Sequence, residues 1–232
     1  MSWLIAALSS SVGKKLVMGI TGLFLCLFLV IHLAGNLLLY VGAETYNDYA
    51  HKLHSMPEFL VTAEIFLYTA FAFHIALAIS LVMQNRAARQ KSYALKQTKV
   101  DDRIVNFGWT PDSTMALTGS IVLLFLIVHL SDFKFESFWN GQLDELEPFD
   151  KAKLILGDTT RAVIYLIGSL VLAVHVGHGF ASAFQSLGLN HPRYNSTIKL
   201  LSRLFAIVVA VGFGSFFLTF FISRVMASAN VG

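Results

Sequence analysis

The sequence has a single cysteine in 232 residues, and this scarcity restricts its chemistry. Cys26 lies inside an apolar run. The chain therefore has no disulfide framework, no set of thiolates for zinc or an iron–sulfur cluster, and no CxxCH motif for covalent haem attachment. Any cofactor must be held by other side chains.

Charged residues are also scarce. Asp, Glu, Lys and Arg make up 13% of the chain, hydrophobic residues make up 56%, and the mean hydropathy is +0.66. A soluble domain carries about a quarter charged residues because its surface faces water, so a soluble single domain is excluded. The net charge of +3 comes from short basic segments between apolar runs, as membrane topology requires, and we expect no nucleic-acid partner.

Five apolar stretches are long enough, at about 20 residues each, to cross a bilayer as helices. We therefore predict an all-α membrane protein whose residues 1–232 form one transmembrane domain, a bundle of five helices surrounded by lipid. The predicted spans are approximately 16–40, 58–83, 114–133, 161–187 and 198–222.

Basic residues in the connections predict the orientation. Six Lys and Arg residues lie within 86–103, and Arg193 and Lys199 lie around the start of the fifth span. Because cytoplasmic connections are enriched in such residues, these belong inside. The N-terminus is then inside and the C-terminus outside, and the connection that carries Glu44 and Asp48 is a loop on the outside.

Histidines inside the apolar spans are the strongest functional signal, because a polar ring in lipid needs a partner. At a rise of about 1.5 Å per residue, His32 and His129 lie near the outer face. By the same arithmetic His74 and His175 lie near the inner face. Two imidazoles from separate helices can ligate one haem b iron without cysteine. We predict two stacked haems enclosed by the bundle, with irons roughly 15 Å apart along the membrane normal.

Two alternatives stay open at this point. His178 lies three residues beyond His175, on nearly the same helix face, and its depth matches that of His74 equally well. Any one of the histidines is equally well explained by an interhelical hydrogen bond.

An internal repeat links the first and third spans. Thr21–Leu33 reads TGLFLCLFLVIHL and Thr118–Leu130 reads TGSIVLLFLIVHL, identical at seven of thirteen positions. Each copy contains one of the two histidines predicted near the outer face. Its glycine, Gly22 or Gly119, lies at the depth of the predicted inner haem. We expect these glycines to let a porphyrin edge approach the backbone. The alternative is ordinary packing of small residues between helices.

The sequence around the histidines resembles a known family over nearly the whole chain. The family is the single-chain, five-helix, di-haem cytochrome b anchor of bacterial succinate:quinone oxidoreductases and quinol:fumarate reductases. Its fourth haem ligand begins an HxxxG pattern, so the resemblance selects His175 and leaves His178 as a neighbour of the ligands. The stretches that carry the likeness are FLVIHLAGN around His32, MPEFLVTAEIFLYTAFAFHI containing His74, FLIVHL around His129 and HVGHG from His175.

The resemblance implies partners and a reaction. A flavoprotein subunit holding FAD and an iron–sulfur subunit would dock on the cytoplasmic face of the bacterial cytoplasmic membrane, in a complex able to form higher oligomers. Electrons would pass through the haem of His74 and His175, then through the haem of His32 and His129, to a quinone near the outer face. Menaquinone is the usual quinone of this type. Succinate oxidation itself would lie on the partner subunits of this succinate dehydrogenase.

The loop over residues 44–58 is the candidate quinone site. It lies beside the predicted outer haem and offers Glu44, Asp48 and His54 for the proton half of the reaction. Family members often carry an acidic residue where this chain has His54. The alternative is that these are solvated loop residues.

Other functions fit parts of the pattern. A quinol:fumarate reductase anchor would run the same path in reverse, and other quinone-linked cytochromes b also pair histidines in the membrane. A haem-free transporter would use its histidines as a proton relay. One histidine ligand on each of the first four helices favours the succinate dehydrogenase pattern. The four prolines lie in or beside the connections, which disfavours the broken helices of a transporter.

Overall fold

A computed structural model of the chain describes residues 2–88 and 111–229, and this part consists of helices and their connections, without a strand. A short 3-10 helix, Leu37–Tyr40, extends the second α-helix. The α-helices are α1 Ser2–Ser9, α2 Ser11–Asn36, α3 Ala43–His54, α4 Pro57–Ala87, α5 Pro111–Phe133, α6 Pro148–Gly157, α7 Thr159–Ser186 and α8 Pro192–Ala229.

Five of these helices are long and apolar enough to cross a membrane: α2 with its 3-10 extension, α4, α5, α7 and α8. The prediction of an all-helical, multi-pass membrane protein is therefore confirmed. The predicted orientation depends largely on basic residues that lie outside the described part of the chain. These are Arg89, Lys91, Lys96, Lys99 and Arg103.

The spanning helices extend beyond most of the predicted spans. The last one, α8, has 38 residues, whereas the apolar pattern marked only 198–222. Helices begin at capping residues: the Ser10 side chain accepts a hydrogen bond from the Gly13 N–H, Pro57 opens α4, and Asp158 caps α7. Hydropathy marks the part of a helix that suits hydrocarbon, whereas caps mark where the helical backbone starts.

The connection over residues 44–58 contains a helix, so the prediction of a loop there was wrong, and the connection between α5 and α7 contains another helix. Helix α3 covers most of residues 44–58, and α6 lies between α5 and α7. Both form because they pack: α6 contacts α3, α7 and α8, and buries Ile155 and Leu156. His51 bonds to Glu147 at 2.8 Å and ties α3 to the residue before α6. The two helices cap the end of the bundle that carries His32 and His129, which we call the outer end.

Helix α7 is central to the bundle. It packs along α2, α5 and α8, and it buries Tyr165, Ser169, Ala173 and Val176. Helix α4 packs mainly along α2 and has no buried residue. The four histidine-bearing helices therefore form two pairs, α2 with α4 and α5 with α7, and the pairs meet through α2 and α7.

Gly168 on α7 lies against Phe125 of α5, and it generates a prediction about packing. A Cβ atom added at Gly168 would lie 2.3 Å from Cδ2 of that ring. The ring also packs on His129, with centroids 6.1 Å apart. We expect Gly168→Ala to push α5 away from α7 and to lower the free energy of unfolding by about 1–3 kcal/mol, the usual cost of overpacking. Unfolding of the purified protein in detergent measures this change.

Gly214→Ala on α8 is the matched control, because its added Cβ would meet Leu166 at an ordinary 3.6 Å. We expect little change in stability for this variant. Equal losses in the two variants would contradict a specific contact between α5 and α7 at Gly168.

Candidate functional site

His32 on α2 and His129 on α5 lie ring against ring at the outer end, and we call them the outer pair. Their ring centroids are 5.8 Å apart and their planes are 85° from parallel. An imidazole nitrogen binds a metal ion at about 2 Å, so two rings on opposite sides of one ion have centroids roughly 6 Å apart. The separation in the outer pair suits two ligands of a single ion.

Five aromatic side chains surround the outer pair. Their centroids lie 5.3–6.1 Å from one or the other imidazole. Flat apolar rings exclude water and can pack against a flat macrocycle, and a hydrophobic shell of this kind controls solvent access to a metal site. The five residues are Phe28, Phe125, Phe133, Tyr165 and Phe213.

His74 on α4 and His175 on α7, which we call the inner pair, are held by two equivalent contacts. The Nδ1 atom of His74 lies 3.2 Å from Thr21 Oγ1, and that of His175 lies 3.2 Å from Thr118 Oγ1. These threonines are the first residues of the two copies of the internal repeat. The repeat therefore places one inner imidazole against α2 and the other against α5 in the same way.

Each of these threonine hydroxyls also bonds to the backbone of its own helix. The Thr21 hydroxyl donates its proton to the backbone carbonyl of Val17 at 2.9 Å. The Thr118 hydroxyl donates to the carbonyl of Thr114 at 2.8 Å. Because a hydroxyl has one proton, we infer that each threonine oxygen accepts from the ring Nδ1–H. Nε2 is then the unprotonated nitrogen that can bind a metal ion, and the second hydrogen bond orients the ring as it does for metal ligands in general.

Gly22 and Gly119 lie beside the same imidazoles. An added Cβ would lie 3.4 Å from Cε1 of His74 at Gly22 and 3.3 Å from Cε1 of His175 at Gly119. A side chain larger than a methyl group would displace the ring. The two glycines thus leave room for the inner pair, and their expected approach to a porphyrin edge stays a prediction.

His178 and His175 differ in their surroundings. His175 is half-buried and bonded to Thr118, whereas His178 is exposed. His175 therefore has the position in the α5–α7 pair that His74 has in the α2–α4 pair. This equivalence supports the choice of His175.

Glu44, Asp48 and His54 are exposed on α3. Glu44 and Asp48 are one helical turn apart and share a face. His54 directs Nδ1 to the Ala50 carbonyl of its own helix, at 2.8 Å. The structure places these three candidates on the cap at the outer end, and the rings that surround the outer pair come from other residues.

Two tyrosines connect α3 to its neighbours, Tyr49 to α2 and Tyr46 to α6. An added Cβ at Gly35 of α2 would lie 2.8 Å from the Tyr49 hydroxyl, so this glycine makes room for the tyrosine. Tyr46 packs on Phe149 with centroids 6.4 Å apart. Burial, and then the neighbouring Tyr49, raise the pKa of the Tyr46 hydroxyl, which therefore stays protonated at neutral pH.

Sequence analysis missed a buried ionic cluster beside the outer pair. Asp132, near the end of α5, is 0% exposed and accepts hydrogen bonds from three side chains. Arg161 Nε donates to Oδ1 at 3.0 Å and lies 2.9 Å from Oδ2 in the ion pair, and the Tyr165 hydroxyl donates to Oδ2 at 3.0 Å. Trp139 Nε1 donates at 3.1 Å. We call these four residues the Asp132 cluster.

A signal for this cluster is present in the sequence. Asp132 follows His129 by three positions, and Arg161 opens the fourth predicted span at the same end of the bundle. Opposite charges at the same depth in a membrane protein are expected to pair.

Among residues 2–88 and 111–229, no group of three or more His, Cys, Asp or Glu side chains could hold a metal ion. Pairs of histidines fit a haem, whose porphyrin supplies the other ligands. Comparisons with protein-family models, curated proteins and solved structures found no match to this chain.

The contacts of the inner pair predict the effect of removing a hydroxyl. Thr21→Val and Thr118→Val each remove the acceptor of one Nδ1–H. Losing a hydrogen bond worth about 1 kcal/mol shifts the ratio of the two neutral tautomers of the facing histidine roughly fivefold toward Nε2–H. Nitrogen-15 NMR of histidine-labelled protein in detergent, without added cofactor, measures this ratio.

Thr62→Val on α4 is the control, because the Thr62 hydroxyl donates to the Glu58 carbonyl of its own helix. We expect it to leave the inner pair unchanged. A tautomer ratio at His74 that is the same in Thr21→Val as in the unmodified protein would show that the hydroxyl does not set the tautomer.

Proposed function

We propose that this chain is a di-haem cytochrome b that anchors an electron-transfer complex in a membrane. The observation that carries the proposal is the arrangement of four histidines from four spanning helices in two pairs. The outer pair has a ring separation suited to one ion. Each ring of the inner pair has the same nitrogen available as a ligand. With one cysteine in the chain, haem b held without covalent attachment is the group that this donor set fits.

More specifically, we propose that the chain is the membrane subunit of a bacterial succinate dehydrogenase, a succinate:quinone oxidoreductase. The likeness of the residues around the four histidines to that family supports this assignment. Succinate would lose two electrons and two protons to become fumarate on a partner flavoprotein, and a partner iron–sulfur subunit would carry the electrons to this chain. A membrane quinone, menaquinone in this proposal, would take up two electrons and two protons to become the quinol.

Bound haem would supply the one-electron carriers between the iron–sulfur subunit and the quinone. The chain's own residues would hold and shield these carriers. His74 and His175 would ligate the inner haem, with Thr21 and Thr118 directing Nε2 toward it. His32 and His129 would ligate the outer haem, and the surrounding aromatic rings exclude water there.

Helix α3 would supply protons to the quinone. Glu44, Asp48 and His54 are exposed at the outer end, so they can exchange protons with water on that side. In the predicted orientation, electrons would arrive from the inside and protons from the outside. Charge movement would then be coupled to the membrane potential, at about 2.3 kcal/mol per charge per 100 mV.

Histidine variants test the haem assignment. We expect the purified chain, produced with ample haem, to show a Soret band and two b-type components. His32→Ala or His129→Ala would remove one component, and His74→Ala or His175→Ala the other, because each loses an axial ligand. Absorbance spectra of the oxidised and reduced protein measure both.

His178→Ala and His191→Ala are the controls and should keep both components. A chain without a Soret band would overturn the proposed function. A His178→Ala variant that loses the inner component, together with a His175→Ala variant that keeps it, would show that His178 is the ligand.

Variants of α3 test the proton donors. If one of Glu44, Asp48 and His54 is the main donor, then Glu44→Gln, Asp48→Asn or His54→Gln should slow quinone reduction about 100-fold or more and leave both haem spectra unchanged. Steady-state quinone reduction by the intact complex with succinate measures the rate. Lys52→Gln, on the same helix, is the control, and normal rates in all three variants would place the proton donor elsewhere.

A further inference from the structure

The Asp132 cluster lies beside the outer pair and has no role in the proposed electron path so far. We propose that the pairing of Asp132 with Arg161 keeps the reduction potential of the outer haem from being shifted by either charge alone, and that Tyr165 is the positioning residue that links the ion pair to His129. This inference rests on the proposed function, because it requires a haem between His32 and His129.

Asp132 is a fixed negative charge. Its side chain is fully buried, and both of its oxygens are occupied: Arg161 Nε bridges them, Trp139 donates to Oδ1 and Tyr165 donates to Oδ2. Hydrogen bonds to an ionised group are among the strongest in proteins. A carboxylate with this many donors is held in one orientation.

Arg161, the other member of the ion pair, is also held in place by several contacts. Its backbone N–H donates to the Asp158 side chain at the start of α7, at 2.9 Å. Its guanidinium lies 5.2 Å from the ring centroid of Phe138 and 5.8 Å from that of Trp139. Aromatic faces attract a cation, so the positive charge also has a defined position. Asp132 and Arg161 together are close to neutral.

Tyr165 connects the ion pair to the outer pair. The residue is 2% exposed, its hydroxyl donates to Asp132, and its ring packs edge-on against His129 with centroids 5.9 Å apart. Asp132 is also one helical turn beyond His129 on α5. The paired charges therefore lie next to His129, in a region lined by aromatic rings.

The sign of the electrostatic effect follows from the charge that reduction adds. One-electron reduction places an additional negative charge between His32 and His129. With the ion pair intact, the effects of Asp132 and Arg161 largely cancel. A lone arginine would stabilise the reduced form and a lone aspartate would oppose it, and both effects are large where the dielectric constant is low. The inner pair is further away and should respond less.

Charge-neutralising variants test the inference. Potentiometric titration of the two spectral components should show the outer potential raised in Asp132→Asn and lowered in Arg161→Gln. In the double variant it should return toward the unmodified value, because neutrality is restored. The inner potential should shift less in every case. Outer shifts in the same direction for both single variants, or no outer shift, would overturn the inference.

Tyr165→Phe keeps the test decisive if the charge variants do not assemble. This change removes one donor from Asp132 and keeps the ring that packs on His129. The less compensated carboxylate should lower the outer potential, with both components still present. An unchanged outer potential would then count against the inference.

Glu136→Gln is the matched control for a broken ion pair at the outer end. Its partner Lys151 is partly exposed, so water and salt screen the unpaired charge, and we expect no shift of the outer potential. An equal shift in this variant would make the effect unspecific and overturn the inference.

The two proposals fail separately, because a chain without haem removes the proposed function, whereas two haem components with unresponsive potentials remove only the role of the Asp132 cluster.

Discussion

An imidazole in a hydrocarbon layer has no water to bond, so each of the four membrane histidines needs a partner inside the bundle. This constraint determines which face of each helix points into the bundle. From position 21 to position 32 the chain advances eleven residues, close to three full turns at about 3.6 residues per turn. Thr21 and His32 therefore share one face of α2, and the repeat gives α5 the same face with Thr118 and His129.

The same constraint accounts for the uneven packing of the bundle. Helix α7 is central and has several buried residues, whereas α4 has none and packs mainly along α2. The interior side of α4 offers His74 to a threonine, and most of its remaining surface is apolar. Side chains at the outer end, by contrast, place aromatic and ionic groups around the outer pair, from Phe28 to the Asp132 cluster.

The spans and the proximity of His32 to His129 were accessible from the sequence because both depend on spacing along a regular helix. A fixed rise per residue converts the positions of His32 and His129 into the same depth, and the structure places the two rings in contact. The partners of the inner pair were harder to foresee. A threonine in a helix ordinarily bonds to its own backbone, and the choice of Thr21 for His74 depends on which helices pack together.

Tertiary packing also explains the cap and the missed cluster. Hydropathy does not mark α3 and α6, because short helices of mixed composition depend on their contacts for stability. The Asp132 cluster combines residues from α5, the following connection and α7, and only the folded chain brings Trp139 to the carboxylate. The likeness to a known family directed attention to α3, whereas the polar residues that contact the outer pair lie elsewhere.

The duplicated threonine contacts have a consequence for biogenesis. Each Thr–His bond lies within one half of the protein, between α2 and α4 or between α5 and α7, so each half can form it as a separate helical hairpin during insertion. Both histidine pairs, however, take one member from each half. A metal ion bound by either pair would link the two hairpins. In the proposed function that ion is the haem iron, so the supply of haem would then govern how the two halves assemble.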